Sequence, residues 1–383
     1  RFWLAKILSL NCRKSWASGP FTWRSTRIPA SGPGKSAGAL TVPTGINTVQ
    51  KIVEMFVFLL IGGLAIGVEV TPEPRMRSLQ YTPRNKIETA AWQKEVRAKL
   101  LDLLSINDLI AGKKDISLKP RDVRTWDMGE YVFRDMTLQS TPGRRMEIVL
   151  TIPKGAEGRF PAVVCIGGHS SQRFTPYTNG KAFGEIPADD GDHASVYKGF
   201  AAELAKRGYV TISASVNWQT NHFFPRERGR TLIGERLWDL MRCVDYLESL
   251  PQVDKTKIGC AGLSLGGEMA MWLGAMDERI EAASICGFLT TMDHLEGNGC
   301  PCWNFKGLRQ LVDFADIYGL IAPRSLECQN GRKEPPNDFT PELAGRAMAE
   351  VRPVYAAFDC EQKPILDIHG GAPKPVTHDA GGN

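Results

Sequence analysis

No run of about 20 apolar residues, the length a bilayer span requires, occurs in these 383 residues. The longest apolar stretch, residues 55–67, is shorter and ends among the small residues Ala65 and Gly67. It fits the core of a signal peptide. Charge of one sign is also lacking: 47 Lys and Arg face 42 Asp and Glu, and much of the basic excess falls in the first fifty residues. No basic stripe interleaves with aromatics, which argues against a nucleic-acid partner. Paired Cys or His at zinc spacing are missing too. Cys300-Pro301-Cys302 is tighter than the usual two-residue spacer and has no partner pair nearby. The nine cysteines are odd in number, so at least one has no partner within the chain. Cys165, Cys260 and Cys286 lie in apolar runs and are expected to be buried.

The first residue is Arg, and residues 1–50 are rich in Ser, Gly, Pro and Arg without a period of 2 or 3.6. Such composition cannot offset its ordering entropy by burial. The expected organisation is a disordered leader over 1–54, with translation beginning at Met55, and a candidate signal peptide over 55–70. A catalytic domain with a helical amino-terminal extension then spans 71–383. Secretion or a periplasmic location follows, with a cytoplasmic enzyme as the alternative. A membrane contact is expected only if 55–70 is retained.

What is present from residue 87 onward is alternation. Trp92, Val96, Leu100 and Leu103 stand at helical spacing within 87–104. Strands are predicted at 145–153, 161–166, 209–213, 257–261, 281–286, 325–329 and 364–368. Helices are predicted at 196–207, 231–250, 268–275 and 342–358. Strand–helix alternation implies an α/β fold with a mainly parallel central sheet and helices on both faces. Ligands then bind at the carboxyl edge of the strands.

Chemistry concentrates at Gly262-Leu263-Ser264-Leu265-Gly266-Gly267, which follows a predicted strand and opens a predicted helix. A G-x-S-x-G string in that setting makes a sharp corner that lifts the serine hydroxyl above the sheet. Ser264 is the expected nucleophile, with an idle serine in a glycine-rich turn as the alternative. An attacked carbonyl becomes an oxyanion, so donors are expected from the Leu265 amide and from the loop Gly167-Gly168-His169-Ser170-Ser171, with Gly168 as the candidate. His169 reads as a loop residue that could touch substrate.

Several stretches resemble the dienelactone-hydrolase-like and acetyl-xylan-esterase-like branch of the α/β-hydrolase superfamily. They are Gly229-Arg-Thr-Leu-Ile-Gly-Glu-Arg-Leu-Trp-Asp239, Val253-Asp-Lys-Thr-Lys-Ile-Gly259, the Ser264 motif, Cys300-Pro-Cys-Trp303 and Phe314-Ala-Asp-Ile-Tyr-Gly-Leu-Ile-Ala-Pro-Arg324. The resemblance covers roughly residues 145–368. It implies carboxylester hydrolysis, acetyl esters of carbohydrates among the candidate substrates, a small-molecule or carbohydrate partner, and no cofactor or metal. The family's His-Gly in the oxyanion loop is replaced here by Gly167-Gly168.

Chain order in this fold is serine, acid, histidine. Glu334, after the strand at 325–329, stands where the family usually has Asp, and Asp338 is the runner-up. The family's Gly-Gly-His after the last strand reads His369-Gly370-Gly371-Ala372 here, with Ala372 in the imidazole's place. His378 and His369 are the two candidates for the base, and a shifted reading frame from Ala372 onward is a third account. Three functions follow: a serine carboxylesterase, a serine peptidase of the same fold, and a catalytically impaired hydrolase-fold binding protein. The peptidase is disfavoured because the space before Arg145 is too short for a propeller.

Other residues carry lesser expectations. His294 is expected at the surface or the pocket rim, and Asp316 in a helix cap or buried hydrogen-bond network. Trp218 and His222-Phe223-Phe224 are pocket-lining candidates, and Asp189-Asp190-Gly191-Asp192 is read as a solvated acidic loop rather than a calcium site.

Overall fold

The computed structural model describes residues 76–155, 158–169, 171–178, 199–215, 229–296, 303–334 and 339–370. The leader, the 55–70 segment, Trp218, His222, the acidic loop, Cys300, Cys302, Asp338, Ala372 and His378 lie outside these residues.

Helix α1 spans Lys86–Leu104, and its first turn is closed by a capping box in which Asn85 accepts from the Glu88 amide and Glu88 accepts from the Asn85 amide. This arrangement satisfies two amides that a helix start otherwise leaves orphaned. Its buried stripe runs through Trp92, Val96, Leu100 and Leu104. Leu104 takes the place expected for Leu103, which is half-buried.

Among the described residues nine strands follow: β1 Arg121–Asp127, β2 Tyr131–Thr141, β3 Arg144–Pro153, β4 Phe160–Ile166, β5 Val210–Ala214, β6 Val253–Leu263, β7 Ile280–Cys286, β8 Ser325–Gly331 and β9 Pro364–His369. Between them run α2 Phe200–Lys206, α3 Leu232–Ser249, α4 Leu265–Met276, α5 Phe314–Gly319 and α6 Pro341–Ala356. Strands β1 and β2 are additions to the predicted set.

The sheet order is β1-β2-β3-β5-β4-β6-β7-β8-β9. The first three neighbouring pairs are antiparallel, and every pairing from β5 to β9 is parallel. Strand β4 buries Ala162, Val164 and Ile166 in one apolar cluster, and Val163 and Cys165 in the other. The period of two therefore serves two cores. One core receives residues of α1, α3, α4, α5 and α6, and the second receives α2 with Phe174 and Tyr177.

Chain direction across the sheet reverses at β4, because β5 adds on one side and β6 on the other. In open α/β sheets the crevice for ligands opens at the carboxyl ends of the strands flanking such a switch point. The loops leaving β4 and β6 flank that crevice.

Candidate active site

Strand β6 ends at Leu263 and α4 begins at Leu265, so Ser264 alone makes the corner. Its backbone sits at φ 58°, ψ −122°, a region costly for any residue with a Cβ and found where the surroundings enforce it. Every residue of α4 is buried, so the helix is gripped on all sides. The Ser264 amide donates to the Cys286 carbonyl at 2.9 Å, tying the corner to the end of β7.

Glycine is required around this corner by contact. A Cβ on Gly262 would overlap the Gly266 carbonyl, and one on Gly266 would overlap the Ile166 carbonyl and stand 2.8 Å from that of Gly167. On Gly267 it would come within 2.6 Å of the Cys286 carbonyl. The missing side chains let the first turn of α4 rest on the end of β4. Gly262 is also the register partner of Ile166. The amide-bearing turn of Leu265 and the Gly167–Gly168 loop are thereby neighbours, at the positive end of a 12-residue helix. Ser264 is half-buried, as is His169 on the adjoining loop.

Carboxyl ends of the next strands lie level with the corner. Leu263 pairs with Cys286, Cys286 with Gln329, and Gly331 with His369. Glu334 follows β8 by three residues, and its Oε1 accepts from the Gly331 amide at 3.4 Å. The Arg332 amide donates to the His369 carbonyl at 2.8 Å, so the start of the acid loop is pinned to β9. His369 itself is buried and is the last paired residue of β9. Three strand spacings separate β9 from β6, about 14 Å at the usual interval, whereas a general base works at about 2.6–3.2 Å. Strand pairing thus sets Ser264, Glu334 and His369 along one edge without bringing the imidazole to the hydroxyl.

Two buried residues that drew no attention in the sequence steady this edge. Asn330 donates through Nδ2 to the Leu289 carbonyl at 3.2 Å and the Phe339 carbonyl at 2.8 Å. It thereby links the loop after β7 to the far side of the acid loop. Tyr318 donates to the Phe288 carbonyl at 3.1 Å, and burial pushes its phenol well above the usual tyrosine range. No pattern flagged Asn330, because β8 also carries Ser325, Glu327 and Gln329 and so offers no apolar run against which it stands out. His294 is half-buried in a short helix, Met292–Leu295. Asp316 is a hub, accepting from Arg77, from the Tyr81 amide and, in a capping box, from the Asp313 amide. Among the described residues no group of three or more His, Cys, Asp or Glu is placed to hold a metal ion. None of their helices is long and apolar enough to cross a membrane.

A mainly parallel sheet whose central strand turns through a strained corner into a buried helix, at the switch point of the sheet, is the architecture of the α/β-hydrolase fold, and this chain has that fold. Residues 241–295, which include Ser264, match the family described as BAAT / Acyl-CoA thioester hydrolase C terminal. The hydrolase-assigned protein YtaP of Bacillus subtilis (strain 168) is 28% identical over 188 residues, 45% of this chain and 60% of YtaP. The chain thus spans less than two thirds of that curated relative. Among solved structures, a Bacteroides fragilis protein assigned as an acetyl xylan esterase superposes with a TM-score of 0.57 at 16% identity, covering 77% of this chain and 79% of that one. A glucuronoyl esterase from Solibacter usitatus gives 0.55 at 15% identity, covering 79% and 94%. At these identities the likeness establishes the fold.

Proposed function

We propose that the chain is a serine carboxylesterase acting through an acyl-enzyme on Ser264. The observation that carries this reading is the strained Ser264 corner, closed by glycines onto the loop after β4. Ser264 Oγ attacks the ester carbonyl while a histidine, on this reading His378 rather than the strand-held His369, takes its proton and Glu334 orients that histidine. The Leu265 amide and the Gly168 region hold the oxyanion. Collapse expels the alcohol with the proton, and water then releases the acid by the same steps in reverse order.

Acetyl esters of carbohydrates are the favoured substrates, a choice supported by the sequence resemblance and by neighbours assigned to acetyl xylan and glucuronoyl ester cleavage. Export directed by residues 55–70 belongs to the same reading and is checked by fractionating cells that express the chain from Met55. Ala372, standing where the imidazole is expected, favours a second reading: a hydrolase-fold protein that binds esters without turning them over.

A fluorophosphonate probe with 4-nitrophenyl acetate and acetylated xylo-oligosaccharide separates the two. The esterase reading expects covalent labelling and turnover, both lost in Ser264→Ala by roughly 10⁴-fold or more. His378→Ala and His369→Ala then tell which imidazole serves. A wild-type chain that neither labels nor hydrolyses supports the binding protein.

A further inference from the structure

An arginine in the loop that leaves β4 beside Ser264 ties that loop to the antiparallel half of the sheet, next to Phe174 and Tyr177, which pack on Phe133 of β2. Five residues after Gly168, the Arg173 guanidinium forks onto Asp135 of β2, Nε at 2.7 Å and Nη2 at 3.1 Å. Its Nη1 donates to Glu147 of β3 at 2.7 Å. The Arg173 amide donates to Ser215 Oγ, just past β5, at 3.1 Å, and its guanidinium lies 4.3 Å from the centre of the Phe174 ring. Asp135 is buried in β2, a position where a strand of this fold would ordinarily carry an apolar residue. A carboxylate taken out of water costs free energy unless it is paired with good geometry, so Asp135 serves its arginine more than its strand.

Between this clamp and the corner the loop is short and folded on itself. The Ser171 amide donates to the Gly168 carbonyl at 3.1 Å, and the Gln172 amide to Thr175 Oγ1 at 2.8 Å. Ser171 packs so closely on Gly167 that a Cβ there would stand 2.8 Å from Ser171 Oγ. Displacement at Arg173 therefore passes to Gly168 with little slack.

The geometry points to Arg173 as a positioning residue for the oxyanion hole, acting through the Gly168 loop and paired with Asp135. This inference rests on the reading of Gly168 as an oxyanion donor for attack by Ser264. A clamp that sets a donor used most in the transition state lowers turnover when removed and leaves ground-state binding nearly intact.

The test uses the full chain with Arg173→Lys and the double variant Arg173→Met/Asp135→Asn, which leaves no unpaired buried charge if the single change to Met fails to fold. Thermal melts select variants that are folded at the assay temperature. For 4-nitrophenyl acetate we expect kcat to fall about 10-fold in Arg173→Lys and about 10²-fold in the double variant, with KM within about threefold, as losing one donor does. The affinity for a trifluoromethyl ketone, whose hemiketal places an oxyanion in the hole, should weaken by the same factors. Folded variants with unchanged kcat, or ketone affinity that stays put while kcat falls, overturn the inference. Activity that survives in Ser264→Ala would instead defeat the underlying esterase reading.

Discussion

Ser264 holds its corner at φ 58° and ψ −122° because the bare glycines around it permit the close approach and the Cys286 carbonyl and the buried helix fix it there. Strain of this kind costs about 1–3 kcal/mol, and a glycine at the same place would relieve it. Glycine elsewhere costs about 0.5–1 kcal/mol relative to alanine. We therefore expect Ser264→Gly to be more stable than Ser264→Ala by about 1 kcal/mol in urea denaturation, the reverse of the usual ranking, although both are inactive. Gly266→Ala drives a Cβ into the carbonyls of Ile166 and Gly167. The expected outcome is a loss of about 1–3 kcal/mol, and about 10²-fold slower labelling by fluorophosphonate because a shift of about 1 Å misaligns attack. At this scale the Ser264 corner and its glycines were legible, since a corner that needs three bare positions writes them into the sequence. Arg173 was not, because its partners Asp135 and Glu147 are 38 and 26 residues away. The proposed base was ambiguous for a different reason: the position after the last strand where an imidazole was expected holds Ala372.

Among the elements, β4 announced itself as an apolar run, because parallel neighbours on both sides and a core on each face bury it. β1 did not, since Arg-Asp-Val-Arg-Thr-Trp-Asp is exposed along nearly its whole length. β2 buries Tyr131 and Phe133 on one face and Met136 and Leu138 on the other, with Asp135 ending the first series and Ser140 the second. Each is there for a partner: Asp135 holds Arg173, and Ser140 joins Arg144 on the buried Asp239 of α3. The helix α5 depends on its own polar anchor. Asp316 is 1% exposed, accepts Arg77 at 2.8 Å and caps its helix through the Asp313 amide at 2.9 Å. Replacing it with alanine strips this acceptor from the Tyr81 and Asp313 amides and leaves Arg77 with Glu350 alone. We expect Asp316→Ala to lose about 3–5 kcal/mol in urea, while the folded fraction still labels at Ser264 within about threefold.

Across the whole molecule, the six cysteines among the described residues are all buried thiols. Burial pushes Cys260 up to about 12 and raises Cys165, Cys243 and Cys328 well above the usual thiol range. Thiolate is the reactive form, so iodoacetamide at pH 8 should leave these four unmodified in the native protein and alkylate them in urea, as peptide mass mapping would record. The burial of Cys165, Cys260 and Cys286 was readable from the apolar runs around them. The order of the sheet was not readable, because it depends on which side of β4 each crossover takes. That order leaves β9 outermost among the described strands, with β8 as its one neighbour and His369 as its final rung. Amide hydrogens of residues 364–369 should therefore trade with deuterium sooner than those of 258–263, which sit between two neighbours. Fraying there carries away the chain that leads to His378 while the nucleophile stays in place, so catalysis should fade at denaturant levels that leave circular dichroism untouched.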